Sequence, residues 1–162
     1  MQQAKQISLC IAISCWGILL GGIVYTHLVF FPPYLAHLPE STKLVTGAFG
    51  LQDENFWMRV HPVTIVAVLA ALLLHLKAKA RRPFIISAFV IYVLVLLATA
   101  VYFVPELLAF AKSANQPEVS ANEWLQRGQR WQQWSWVRGS FMLAGFILLL
   151  IALVKNNKSE AV

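Results

Sequence analysis

With 162 residues, 59% of them hydrophobic and only 12% charged, the chain is too apolar for a soluble fold and short enough for a single domain. The formal net charge of +6 does not mark a nucleic-acid partner, because the cations crowd into a few short segments. Four stretches can each cross a bilayer as a helix, which takes roughly 20 apolar residues; they are apolar all round, as lipid-solvated helices are.

The first span reads Ile7 to Phe31. Cys10 and Cys15 face apart at their helical spacing, so no disulfide is expected and both read as buried structural thiols. The apolar run continues past Cys15, which argues against a lipoprotein box, and no cleavage site follows it. Pro32 and Pro33 are expected to stop this helix. A polar outer loop over residues 32–55 follows, with Pro39, Gly47, Gly50 and the Asp53-Glu54 pair. The second span, Phe56 to Leu76, leads through the short basic turn Lys77 to Pro83 into the third, Phe84 to Val104, so these two are antiparallel neighbours.

Pro105 is expected to end the third span and open an outer loop over residues 105–136. Within that loop Ser120 and Glu123 stand at capping-box spacing. They predict one helix from Ser120 to Val154, about 50 Å long at 1.5 Å per residue. That exceeds one crossing, so its first part, with Trp124, Trp131, Trp134 and Trp136, lies in the interface or projects outward, and the fourth span is Val137 to Val154. No internal repeat stands out. The small pairs Gly17/Gly21 and Ser140/Ala144 read as bundle contacts, with a homo-oligomer seam as the alternative.

Lys5, Lys77, Lys79, Arg81, Arg82, Lys155 and Lys158 fall in the N-terminus, the turn between spans two and three, and the C-terminus, opposed only by Glu160. Short basic segments mark the cytoplasmic side. The expectation is an all-α integral membrane four-helix bundle, one domain over 1–162, with both termini cytoplasmic. The Trp-rich helical extension before the fourth span is then extracytoplasmic. A bacterial inner membrane is the expected location, with the lipid bilayer and a hydrophobic small molecule as partners, a homo-oligomer allowed, and no nucleic acid.

Ionisable groups within spans are costly and are site hypotheses by default. Counted from the basic end at 1.5 Å per residue, His27 lies about 30 Å along its helix, His61 about 24 Å, Arg138 about 25 Å and Glu106 about 34 Å. Four spans thus deliver polar groups to one slab, and Arg59 stands at its rim. His75 lies at the opposite end and His37 in a loop. Taken singly, the histidines could be satisfied by backbone carbonyls and the arginines could snorkel to headgroups. Taken together, their shared depth is what a binding or catalytic site inside a bundle looks like. Alternatively His27 and His61, with an oxygen from Glu106, could ligate copper, iron, zinc or a haem, although no His-x-x-x-His spacing occurs. Five of the six Trp residues lie toward the outer side, which suits a cover over a flat apolar ligand, Trp131 and Trp134 foremost. A structural subunit of a membrane complex is the remaining reading.

The stretch Trp131-Gln132-Gln133-Trp134-Ser135-Trp136-Val137-Arg138, opening an apolar span, resembles the anthrone oxygenase-like family of small four-span membrane proteins. So do the proline-rich exit Val29 to Pro32 with Leu38-Pro39, and His61-Pro62, where the family has Asn-Pro. Ser135 likewise replaces a usual asparagine. If those amides hold substrate, both replacements alter what is bound. The resemblance covers nearly the whole chain. It implies oxygen-dependent oxidation of an activated carbon in a polycyclic phenol, with no cofactor required. His27 or His61 would be the base, Arg138 the oxyanion partner, and Arg59, Glu106, Trp131 and Trp134 would contact substrate.

Overall fold

The computed structural model describes residues 2–155. The expected basic residue Lys158 and its opposing Glu160 lie outside them. Six α-helices build four rods: α1 (Gln2–Tyr25) runs through a π-helical turn (Thr26–Phe30) into α2 (Phe31–Ala36). Next come α3 (Glu54–Leu74) and then α4 (Arg82–Ala98), which passes through a second π turn (Thr99–Phe103) into α5 (Val104–Ala111). The long α6 (Ala121–Val154) closes the bundle, and its first turn is capped by Ser120, whose hydroxyl accepts from the Glu123 N–H at 3.2 Å, as the spacing predicted.

All four rods are long and apolar enough to cross a membrane. Their outward faces carry Ile11, Val66, Leu94, Phe141 and Ile147, each well exposed, which is how a bundle solvated by lipid is built. The protein is an integral membrane four-helix bundle. α1 packs on α3 and α6, and α4 packs on α3 and α6, which closes a ring of four. Arg81 Nε donates to the Lys155 carbonyl at 2.9 Å, so the turn between α3 and α4 and the end of α6 meet at one basic end.

The prolines do not stop the first and third rods. Pro32 and Pro105 each sit in the first turn of a renewed α-helix, where a missing N–H costs little. A proline ring in a regular helix meets the carbonyl four residues back. Here the preceding turn widens instead: Phe31 N–H bonds to the Thr26 carbonyl and Val104 N–H to the Thr99 carbonyl, each five residues back. Both turns read Thr-x-x-x-Phe-x-Pro (Thr26, Phe30, Pro32 and Thr99, Phe103, Pro105), a short repeat on two parallel rods where none was expected. The segments expected as loops just after Phe31 and Val104 are therefore helical.

The interior has two apolar regions. One, toward the basic end, gathers Trp16, Leu19, Ile23, Tyr92, Val95, Met142 and their neighbours. The other, at the aromatic end, gathers Phe31, Tyr34, Leu35, Phe103, Phe110, Trp124 and Trp131. Close packing is made by small residues next to the expected ones. Gly21, Ser140 and Ala144 are exposed, and Gly17 only touches Phe146, whereas Gly145 lies against the fully buried Trp16. Cys10 is exposed too, against the expectation of burial, and both thiols are free.

Trp16 cannot easily yield at Gly145, because its indole N–H is tied to the Met142 carbonyl at 2.9 Å. Gly145→Ala is therefore expected to destabilise the bundle by about 1–3 kcal/mol, the usual range for overpacking. Thermal unfolding in detergent, followed by helical circular dichroism, would show a lowered midpoint. An unchanged midpoint would mean that the α1–α6 contact is looser than described.

Candidate functional site

Along each of three rods polar side chains separate the two apolar regions, with Thr26 beside His27 and Ser135 beside Arg138. The order is Ile23, His27, Phe31 on the first rod, Val95, Thr99, Phe103 on the third, and Met142, Arg138, Trp131 on α6. His61 stands at a similar level by residue count on α3, the rod diagonal to α6. The structure thus brings His27 and Arg138 into one layer through their shared neighbours Trp131 and Phe103, with His61 at that level on the rod across the ring.

His27 sits in the first π turn and is buried. Its Nδ1 lies 2.7 Å from the Ile23 carbonyl oxygen. A carbonyl can only accept, so Nδ1 carries the proton and a neutral ring keeps its lone pair on Nε2. That Nε2 is buried and has no hydrogen-bond partner. The carbonyl contact expected for a merely structural histidine is present, yet it leaves a bare acceptor inside the bundle. Phe31 meets the ring edge-on at 5.4 Å, Trp136 lies tilted at 4.6 Å, and Trp131 is stacked at 6.4 Å.

Arg138 does not snorkel to a headgroup. Nη1 donates to the Thr99 hydroxyl at 3.1 Å, Nη2 to the Ser135 hydroxyl at 2.9 Å, and the guanidinium carbon lies 4.1 Å from the Phe103 ring centre. Among the described residues no carboxylate stands within ion-pair distance of it. A cation held by two neutral hydroxyls and a ring face, with its charge uncancelled, is poised for an anion. Ser135, three residues back on the same helical face, takes part directly.

The other expected contacts go elsewhere. Arg59 lies two residues from His61, on roughly the opposite side of α3, and is exposed. Glu106 is engaged by Arg127, at 3.0 and 3.1 Å from one nitrogen, and Arg127 in turn covers Trp124 at 4.5 Å. That fork ties α5 to α6 and takes Glu106 out of the layer. Trp134 is 56% exposed on the outer face, so it covers nothing. Trp131 is fully buried and donates to the Phe103 carbonyl at 3.2 Å, which makes it part of the roof. The tryptophan nearest His27 is Trp136, one helical face away from the expected pair. No group of three or more His, Cys, Asp or Glu residues able to hold a metal occurs among the described residues, which leaves the metal reading two imidazoles at most.

A cleft of about 450 Å³ opens between α1 and α3, lined by Gly21, Gly22, Thr26, Phe30, Asp53 and Trp57 among others. Trp57 is shared: it packs on His61 at 5.8 Å and donates its indole N–H to Asp53 at 3.2 Å. Gly22 lets the aromatic wall close on α1, since a side chain there would press on the rings of Phe56 and Trp57. Asp53 was not among the expected site residues. Burial raises its pKa, opposed by the Trp57 hydrogen bond.

With the folded-state pKa above the unfolded one, the folded state disfavours the ionised form, and stability is lost as pH rises through the raised pKa. Asp53→Asn keeps an acceptor for Trp57 and removes that loss. Its melting temperature should exceed wild type near neutral pH, with the gain shrinking as pH falls to the ordinary carboxylate range. A gain independent of pH would contradict this.

The fold and this layer define a small four-span membrane protein with imidazoles and an arginine that has no carboxylate partner among the described residues set between its helices. A family model described as anthrone oxygenase matches residues 54–148, more than half of the chain and the part that holds His61, Tyr92, Thr99, Ser135 and Arg138. The chain belongs to the anthrone oxygenase family, and is in that sense an oxygenase-like membrane protein. No curated protein and no solved structure matches it.

Proposed function

We propose that the protein oxidises a flat, lipid-soluble aromatic substrate of the anthrone or quinol type with molecular oxygen, in the layer formed by His27, His61 and Arg138. The observation that carries this reading is the bare, buried Nε2 of His27 in the same layer as an arginine without a carboxylate. A ring-stabilised carbon acid needs those two things: an acceptor for its proton and a cation for the oxygen on which the charge collects. His27 Nε2 takes the proton from the activated carbon and Arg138 holds the resulting enolate oxygen. The enolate is electron-rich enough to react with oxygen itself, so no further cofactor is required. Carbon–oxygen bond formation gives a peroxide at that carbon. Loss of water from it leaves a ketone, so a CH₂ group and O₂ become a C=O group and water.

The α1–α3 cleft gives such a substrate a lateral route from the bilayer, with aromatic walls at Phe30, Phe56 and Trp57. In this reading the basic end faces the cytoplasm with both termini, and the layer lies toward the outer leaflet. The test is oxygen uptake by the purified protein in lipid nanodiscs supplied with anthrone. Uptake equimolar with ketone formed, well above the spontaneous rate, is expected. A rate equal to that of empty nanodiscs would overturn the proposal.

A further inference from the structure

His61 differs from His27 in what holds it. Its Nδ1 lies 2.9 Å from the hydroxyl oxygen of Tyr92 on α4, and the same hydroxyl lies 3.3 Å from the His61 carbonyl oxygen. Tyr92 is fully buried, and its ring is pressed on Trp16 at 5.0 Å, so the hydroxyl cannot swing away. A phenol has one proton to give. The imidazole nitrogen is the stronger acceptor and the nearer one, while the carbonyl contact is long for an O–H donor. The neighbouring Thr64 does not compete as a donor, because its own proton goes to the Val60 carbonyl at 2.8 Å.

We infer that Tyr92 is a positioning residue that fixes His61 as the Nε2–H tautomer, so that His61 donates a hydrogen bond to the substrate oxyanion beside Arg138. The two imidazoles of the layer then carry opposite tautomers. A backbone carbonyl sets His27 to accept at Nε2, and a phenol sets His61 to donate at Nε2. A neutral imidazole can serve as such a donor without becoming charged. The pairing divides the work: one ring removes the proton from carbon, while the other, with the guanidinium, holds the oxygen. This role rests on the reaction proposed above; the tautomer assignment does not.

The experiment uses the full-length protein in nanodiscs with ¹⁵N-labelled histidine, whose ring nitrogen shifts report the tautomer directly. In wild type, His61 is expected to be protonated at Nε2 and His27 at Nδ1. In Tyr92→Phe, which keeps the ring on Trp16, His61 loses its preference while His27 is unchanged. Anthrone turnover by the same variant should fall by about tenfold to a hundredfold in kcat, with KM close to wild type. Wild-type His61 protonated at Nδ1, or a tautomer indifferent to Tyr92→Phe, would overturn the inference, as would a tautomer change with undiminished kcat. If the tautomers are as stated but wild type turns over no anthrone, the reaction falls and the role of His61 with it, while the hydrogen bond stands.

Discussion

His27→Gln should abolish nearly all turnover while leaving the protein folded. Glutamine fills much of the imidazole's space, and its amide N–H can still reach the Ile23 carbonyl that His27 now engages at 2.7 Å. What it lacks is a basic nitrogen at the far end of the side chain. A positioned base contributes about 10²–10⁴ in rate, so kcat should drop by that factor with KM little changed. Oxygen uptake with anthrone measures it, and circular dichroism checks the fold. Trp134→Ala, on the outer face, is the companion variant and should match wild type. If His27→Gln stays within about threefold of wild type, the bare nitrogen is not the base.

Arg138→Met has the second large effect, and its sign differs between activity and stability. The guanidinium is held in the bundle by two hydroxyls and the face of Phe103, with no carboxylate in reach. Keeping a cation there costs free energy that a thioether side chain would not. The variant should therefore be as stable as wild type or more so, while losing about 10²–10³ in kcat, the usual cost of removing a main oxyanion partner. A lower midpoint of thermal unfolding together with intact turnover would show that Arg138 is a packing residue. Stability withheld in exchange for a charged site is a common pattern in enzymes.

Much of this was legible in the chain. The four spans follow from length and hydropathy, and the α6 start follows from the Ser120–Glu123 spacing. Counting residues from the basic end put His27, His61 and Arg138 at one level; His27 and Arg138 share the neighbours Trp131 and Phe103 there, while His61 is held by Tyr92 on the side of α4. Depth alone does not give the face, however. Arg59 shares the depth of His61 but sits two residues away, and Trp134 precedes the inward Ser135 by one. The inward face of α6 is readable at intervals of four and three through Trp131, Ser135 and Arg138. Applied there, that rule excludes Trp134 and brings in Ser135.

Other parts were harder to see. Glu106 looked available because its partner Arg127 lies 21 residues on, in another helix. Tyr92 and Thr99 are polar groups within an apolar span and could have been singled out for that reason alone. The π turns were hidden by the general rule that proline ends a helix. Widening by one residue is a tertiary solution, although the shared Thr-x-x-x-Phe-x-Pro pattern was in plain view.

The most direct measurement is an experimental structure of the protein in lipid with a hydroxyanthraquinone, a product that cannot be oxidised further at the same carbon. The predicted result is a flat ring system in the layer, with its keto oxygen within hydrogen-bond distance of Arg138 and His61 Nε2, and the ring carbon opposite facing His27 Nε2. Density confined to the lipid-facing surface, with the space between those three side chains closed by their neighbours, would contradict the account.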